Sequence, residues 1–204
     1  MNRSRKEDWK NETGIEDEKE LSMQDREELF LSLRDAEWPP ESVSHDRLIV
    51  RAIVADAEGM YSFVRVERDD EFGNCTLIET SGGGVEPGED LLSALKRELW
   101  EELGAKAEIL CRIGVVSDYY NLIRRHNINH YYLCRAVSFG ETHRTEDEIE
   151  CFHLSRLRLT FEEALEEYER CRCSRLGRLI ANREVPVLQR ARELLAFDMQ
   201  KEQR

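Results

Sequence analysis

The chain contains no apolar run long enough to cross a membrane as a helix, and residues 1–10 lack the apolar stretch of a signal peptide. We therefore expect a cytoplasmic protein without a membrane partner. Basic residues are also scarce, because 30 Lys and Arg stand against 43 Asp and Glu and leave a net charge of -13. Such a balance gives no sequence-independent attraction to nucleic acid, which is excluded as an expected partner.

The six cysteines do not form the spacing pattern of a disulfide framework, and they fall within segments that read as strands and helices. This favours reduced thiols in a cytosolic protein. The chain shows no internal repeat, and its 204 residues suggest one domain with an appendage.

The appendage is predicted at the N-terminus, where residues 1–46 hold seven basic against fourteen acidic side chains. Residues 2–20 are nearly free of apolar side chains, a composition typical of disorder. Leu29, Phe30 and Leu33 fall at helical spacing and predict a short helix over residues 23–33. We assign residues 1–44 to an acidic, mostly disordered extension and residues 45–204 to the folded domain. The extension is interpreted either as a solvated tail or as a docking or dimerisation segment.

The folded part alternates strand and helix patterns irregularly, which predicts a mixed α/β layered domain. Helices are expected from residue 89 to 103, from Thr160 as an N-cap to about residue 171, and from 186 to 197. Strands are expected over residues 48–54, 61–66, 76–80, 107–117, 130–138 and 150–157, with a polar loop over residues 69–74.

The most informative segment is residues 83–105, in which glycines precede a helix that carries three glutamates. Glu98, Glu101 and Glu102 are spaced i, i+3 and i+4, so they share one helix face although like charges there repel by a few tenths of a kcal/mol each. Arg97 can pair with Glu101 or reach back to Glu89. The apolar face of the helix is predicted beside the acidic one, at Leu92, Leu95, Leu99 and Leu103. Clustered carboxylates suit a hard cation such as Mg²⁺, which lowers the pKa of a bound water. The competing interpretation is a solvated acidic face on a highly charged protein.

This segment resembles the signature of the Nudix hydrolases, G-x5-E-x7-R-E-U-x-E-E-x-G-U, where U is an apolar residue. The chain fits every fixed position, with Ala105 as a small residue at the last one: Gly83, Glu89, Arg97, Glu98, Leu99, Glu101, Glu102, Gly104 and Ala105.

The resemblance implies an α/β/α sandwich with a mixed β-sheet, plus the N-terminal extension. It implies that Glu98, Glu101 and Glu102 bind Mg²⁺ or Mn²⁺, that Arg97 orients a glutamate, and that Glu89 assists from the preceding loop. The reaction would be attack of a metal-activated water on one phosphorus of a diphosphate in a nucleotide-type small molecule. A later acidic residue often acts as ligand or general base in this family, and Glu148 is our candidate for it.

Substrate contacts are expected from the glycine loop, at Gly83 and Gly84, because glycine lets the backbone approach a ligand closely. The unusual run over residues 118–127 offers four more candidates, which would stack on a base or meet phosphate: Tyr119, Tyr120, Arg124 and Arg125. The resemblance does not identify the nucleotide derivative. It implies a possible homodimer, and it leaves open a catalytically silent member of the fold that binds a nucleotide for regulation.

Overall fold

The structure is a computed structural model that describes residues 27–143 and 154–202 of the chain. The described elements in chain order are β1 (Leu29–Leu33), β2 (His45–Ala55), β3 (Tyr61–Asp70), β4 (Gly73–Glu79), α1 (Leu91–Leu103), β5 (Ala105–Tyr120), a 3₁₀ turn (Asn121–Ile123), β6 (Arg125–Phe139), β7 (Ser155–Leu159), α2 (Phe161–Cys171) and α3 (Arg175–Glu202).

The strands form one mixed sheet in the order β1-β5-β6-β2-β3-β4, and β7 pairs with β3. The pairs β1–β5 and β2–β6 are parallel, whereas β5–β6 and β3–β4 are antiparallel. The polar loop predicted for residues 69–74 is wrong, since β3 and β4 stay paired as far as Asp70 and Gly73.

The helix predicted over residues 23–33 is also wrong where the structure describes it, because Leu29–Leu33 is strand β1. Its side chains alternate between half-buried and exposed, and Leu29, Leu31 and Leu33 pack against the core. In a strand every second side chain faces the same side, and Leu29, Leu31 and Leu33 follow this alternation. Parallel pairing with β5 then places part of the N-terminal extension within the sheet.

Helices cover both faces of the sheet, which confirms the predicted α/β/α sandwich. On one face α1 packs against β2, β3 and β6 through apolar residues of all four elements: Val50, Ala52, Val54, Val64, Ala94, Leu95, Leu99, Leu103 and Tyr132. On the other face α2 and α3 cover a larger core: Ile53, Phe63, Leu77, Tyr131, Leu133, Tyr168, Ile180, Val187 and Leu188. None of the described helices is both long and apolar enough to cross a membrane. All the cysteines in the described ranges are free thiols.

Helix α3 starts eleven residues before its predicted beginning and contains Pro186. Buried residues repeat at helical spacing on both sides of this proline, from Leu176 and Ile180 to Val187 and Leu188. Packing of this continuous apolar stripe on the sheet outweighs the helix-breaking tendency of a proline. The longer helix brings residues 183 and 184 over the centre of the sheet, where they are buried.

The sheet divides at β2, and this division positions the glycine segment. Strand β2 pairs with β3 only at Val54 and Ala55. Farther towards its N-terminal end, β2 bonds instead to residues 81–85, where Ala52 N donates to Ser81 O at 2.8 Å and Val50 N donates to Gly83 O at 3.0 Å. The glycines are thereby held as a short extra strand directly before α1.

Candidate active site

Gly82 lies where another residue would clash with the backbone, and side chains at residues 83 and 84 would press on Glu98 and Arg47. A Cβ on Gly82 would lie 2.0 Å from Val50 O, and its φ of +148° is rare for L-residues. A Cβ on Gly83 would lie 2.4 Å from Oε1 of Glu98. The backbone of this segment therefore lies in direct contact with a carboxylate of α1, whereas its approach to a ligand stays a prediction.

Helix α1 is fixed at both ends and along one side. Asp90 caps its N-terminus by accepting from Leu92 N and Ser93 N, and Gly104 ends it in the left-handed conformation. Leu95, Leu99 and Leu103 are buried on the sheet, whereas Leu92, which the sequence placed on the same face, is exposed and Ala94 takes its place. The helix position is thus set by packing, independently of its carboxylates.

The carboxylates of α1 lie beside the apolar face, as predicted, and two of them are buried. Glu98 is 7% exposed and Glu102 is 9% exposed, while Glu101 is half-buried. Glu102 accepts from Gly82 N at 2.8 Å. Burial, reinforced by the negative charge of Glu98, raises the pKa of Glu102 to about 8. Glu98 therefore opposes ionisation of Glu102, an effect that a bound cation would offset.

Arg97 connects the helix to the loop before it. Its Nη1 donates to Glu98 at 2.7 Å and to Glu101 at 3.1 Å, while Nε and Nη2 donate to both oxygens of Glu89 at 3.1 and 3.0 Å. Nη2 also donates to Gly84 O at 3.0 Å. The hydrogen bond from Arg97 lowers the pKa of Glu89. The sequence proposed Glu101 or Glu89 as the partner of Arg97, and the guanidinium contacts both.

The oxygen-rich set around Arg97 fits a divalent cation in chemistry, although its side chains do not yet converge on one point. Within residues 27–143 and 154–202, no three His, Cys, Asp or Glu side chains are arranged to hold a metal. The reason lies in the contacts just described, since Arg97 and Gly82 N occupy carboxylate oxygens that a cation would use. The donors are hard carboxylate oxygens, which suit Mg²⁺ or Mn²⁺.

A second polar cluster lies on the other face of the sheet, under α3, and sequence reasoning missed it. Arg183 is 1% exposed and donates to Glu184, to Asp118 at 3.1 Å and to the Tyr120 hydroxyl at 2.8 Å. Glu184 is 0% exposed and accepts from Tyr131 and Thr80 hydroxyls, both at 2.9 Å.

Arg51 of β2 joins this cluster by ion pairs with Glu79 at 3.3 Å and Glu184 at 3.8 Å, and by donating to Thr80 O. Thr80 and its successors lead directly to the glycine segment, so the cluster under α3 fixes the base of the loop. The one available signal in the sequence was Arg183 and Glu184 falling on the apolar side of a helical pattern.

The four residues predicted from the run over 118–127 are placed differently from one another. Tyr119 stacks on His126 with ring centroids 4.5 Å apart, and Tyr120 is buried with its hydroxyl accepting from Arg183. Arg124 is exposed, and its guanidinium donates to the backbone and hydroxyl oxygens of Ser42.

Arg125 is half-buried and lies over the Tyr120 ring at 5.5 Å. Of the four side chains, only its guanidinium Nε is buried without a hydrogen-bond partner in the described part of the chain. Glu148, the candidate for a further acidic residue, lies outside the described residues.

Comparisons with known proteins agree with this geometry. A family model described as the NUDIX domain matches residues 45–171. The chain is similar to the solved structure of a NUDIX hydrolase from Nitrosomonas europaea, with 17% identity, 60% of this chain and 78% of that chain covered, and a TM-score of 0.51. The solution structure of the E. coli ORF135 protein gives 23% identity, coverage of 74% and 91%, and a TM-score of 0.49.

A MutT NUDIX hydrolase from Burkholderia pseudomallei gives 22% identity, coverage of 58% and 86%, and a TM-score of 0.45. No curated protein sequence matches the chain. The likeness to the Nitrosomonas structure shows the fold. The match of the family model extends over more than half of the chain and includes the complete signature from Gly83 to Ala105, so the chain belongs to the Nudix hydrolase family.

Proposed function

We propose that this Nudix hydrolase cleaves, with a divalent cation, the diphosphate bond of a nucleoside diphosphate that is linked to another moiety. The observation that carries the proposal is the buried Glu98–Glu102 pair beside Glu101, set against a backbone that is glycine at residues 82–84. Two buried carboxylates beside a loop whose backbone is glycine suit a polyphosphate that arrives as its complex with a divalent cation.

Glu98, Glu101 and Glu102 would hold the cation, with Mg²⁺ and Mn²⁺ as the candidates. When bound, such a cation stabilises charge on phosphoryl oxygens and lowers the pKa of a coordinated water. Arg97 would keep Glu98 and Glu101 oriented, since one guanidinium nitrogen donates to both. Glu89 in turn fixes the other edge of that guanidinium by a bidentate contact.

Gly82 N donates to one Glu102 oxygen at 2.8 Å and so orients this carboxylate toward the glycine segment. Glu148 remains our candidate for a further acidic residue from the later loop. The backbone of Gly83 and Gly84 would approach the phosphates, because neither residue places a Cβ in the way.

Two predicted contacts to the remainder of the substrate are retained, Tyr119 and Arg125, which lie on opposite faces of the sheet. An aromatic ring pair and a half-buried guanidinium suit a nucleotide. Tyr120 and Arg124 remain candidates for substrate contact but rank below Tyr119 and Arg125. Their polar atoms already bond to Arg183 and Ser42.

The test is to incubate the purified chain with Mg²⁺ and a panel of nucleotide derivatives while phosphate, pyrophosphate and nucleotide products are followed. The panel contains nucleoside triphosphates, ADP-ribose, dinucleoside polyphosphates, nucleotide sugars and coenzyme A. The Glu101→Gln and Glu102→Gln variants are measured alongside. Glu108→Gln, at an exposed position of β5, serves as the matched control.

We expect metal-dependent turnover of one panel member by the wild type and Glu108→Gln, and its loss in the other two variants. Tight binding of one compound without any turnover would instead contradict the proposal and support a regulatory nucleotide-binding role for the domain.

A further inference from the structure

Two buried asparagines on the same strand differ completely in their hydrogen bonding. Asn127 and Asn129 of β6 are both 0% exposed. Asn129 is satisfied, since its amide donates to Val116 O and Asp118 and its oxygen accepts from Arg51. Neither the nitrogen nor the oxygen of the Asn127 side chain has a partner among the described residues. An amide left in this state is costly for the fold, so its retention points to a partner outside the protein chain, a water or a ligand.

The neighbours of Asn127 on the sheet face are arginines. Arg47 is its in-register partner on β2, and Arg125 precedes it by two residues on β6, so all three side chains point to the same face. Neither arginine forms an ion pair or hydrogen bond with another residue in the part of the chain that the structure describes. Burial, with repulsion from neighbouring arginines, lowers the pKa of both guanidinium groups. The pair is therefore a concentration of positive charge without a fixed counterion.

This positive cluster continues directly from the carboxylates of α1. A Cβ built on Gly84 would lie 3.0 Å from Nη2 and 3.1 Å from Nε of Arg47, which places this guanidinium over the glycine segment. Glu98 acts electrostatically on Arg47, and Arg47 acts on Arg125. Arg47 thus contacts the glycine segment, and on the neighbouring strand it is flanked by Asn127 and Arg125.

We propose that Arg47, Arg125 and Asn127 form a subsite for a phosphoryl group of the substrate that lies beyond the two phosphates of the cleaved linkage. The inference rests on the proposed function for the position of the cleaved linkage. Guanidinium groups bind phosphate oxygens with paired donors, and the Asn127 amide supplies a further donor between them. The substrate class is then a nucleotide with three or more phosphates in one chain, in preference to a nucleotide sugar or ADP-ribose.

The subsite also explains how an acidic protein retains a polyphosphate. The chain carries a net charge of -13, so general electrostatic repulsion opposes the binding of an anionic polyphosphate. Two unpaired arginines supply local positive charge beyond the cation site. Arg135, which lies on the same strand and pairs with Glu108 at 3.7 Å, is a matched arginine without this environment.

The first test measures the binding of inorganic tripolyphosphate and pyrophosphate by calorimetry, with Mg²⁺ present, in the full chain and its variants. We expect the wild type and Arg135→Ala to bind tripolyphosphate at least about tenfold more tightly than pyrophosphate. Arg47→Ala and Arg125→Ala should lose this preference while their affinity for pyrophosphate is unchanged. Equal tripolyphosphate affinities in all four proteins would overturn the proposal.

Asn127→Val separates a ligand contact from a structural role, because only a ligand contact predicts weaker binding of tripolyphosphate by this variant. Removing an unsatisfied buried amide in favour of a β-branched apolar residue should raise the melting temperature. The same change should weaken tripolyphosphate binding roughly tenfold. A variant that is more stable and binds tripolyphosphate as the wild type does would show that the amide is only a packing defect.

Hydrolysis distinguishes the failure of this proposal from failure of the proposed function. For a hydrolysed polyphosphate substrate, Arg47→Ala and Arg125→Ala should raise KM about tenfold or more with little change in kcat. Unchanged KM in active variants would overturn the subsite and leave the hydrolase proposal standing. A tripolyphosphate preference in a protein that hydrolyses nothing would support the subsite and reject the proposed reaction.

Discussion

Nη1 of Arg97 lies 2.7 Å from Oε1 of Glu98, and the same nitrogen reaches Glu101 at 3.1 Å. One guanidinium thus holds two carboxylates of neighbouring helix positions that would otherwise repel. Its remaining donors bond to Glu89 and Gly84 O in the preceding loop. Loop and helix therefore form one rigid frame around the proposed cation site.

Replacing Arg97 by lysine should lower kcat by about 10- to 100-fold, because an ammonium group cannot bridge several carboxylates at once. Because lysine keeps the positive charge, the variant tests whether Arg97 acts by orienting the glutamates or only by neutralising their charge. Steady-state kinetics at saturating Mg²⁺ measures the effect. Arg112→Lys, a change in an exposed arginine of β5, serves as the control. Full activity in Arg97→Lys would mean that charge alone matters here.

Gly83→Ala should displace the Glu98 carboxylate and reduce kcat/KM by about 10- to 100-fold, since the new Cβ would lie 2.4 Å from its Oε1. Gly140→Ala is the matched control, because its Cβ would meet only one atom, at 3.8 Å. Kinetics together with a melting curve checks that the fold is retained. Normal kinetics in Gly83→Ala would show that Glu98 has room to move without consequence.

Removing divalent cations with a chelator should abolish turnover but lower the melting temperature only slightly. Helix α1 is capped by Asp90 and Gly104 and packed by its leucines, so its formation does not need a cation. Adding Mn²⁺ should raise the melting temperature of the wild type and not that of a Glu101→Gln, Glu102→Gln double variant. Loss of far-UV circular dichroism on chelation would contradict this independence of fold and metal.

Glu184→Gln should destabilise the fold by about 3–5 kcal/mol, because it leaves the buried Arg183 with one less negative partner. Glu184 is 0% exposed and accepts from three side chains, so solvent cannot stabilise the Arg183 charge once the carboxylate is gone. Urea unfolding measures the change. Glu193→Gln, at an exposed position of α3, removes an ion pair with Arg190 and should cost under about 0.5 kcal/mol. Similar costs for both variants would refute the importance of the buried cluster.

Glu37→Gln should lower the melting temperature by about 1–3 °C at pH 7, and this difference should vanish in acid. The Arg178 guanidinium donates to both oxygens of Glu37, at 2.9 and 2.6 Å, and its hydrogen bonds lower the pKa of Glu37 below the ordinary value of 4.5. A lowered folded-state pKa contributes stability above pH 4.5 that is lost as the pH falls through the folded value. Melting curves between pH 7 and pH 3 test this, with Glu41→Gln as an exposed control. A constant difference across that range would exclude the ion pair as its cause.

The sequence alone determined the helix with its glutamates and the loop before it. Spacing of i, i+3 and i+4 puts Glu98, Glu101 and Glu102 on one side of any α-helix, and the leucines beside them select the side that packs. These patterns are local, so they do not depend on what the helix packs against. The N-cap predicted at Thr160 was readable for the same reason, and the structure confirms it as part of a capping box with Glu163.

Only the tertiary structure decided which distant residues meet. Leu29–Leu33 forms a strand because β5 offers an unpaired edge to it, an outcome that five residues cannot specify by themselves. Arg183 meets Asp118 across 65 positions of sequence because α3 crosses the sheet at that point. Whether a buried asparagine is satisfied likewise depends on the strands beside it, which is why Asn127 and Asn129 look alike in the sequence and differ in the fold.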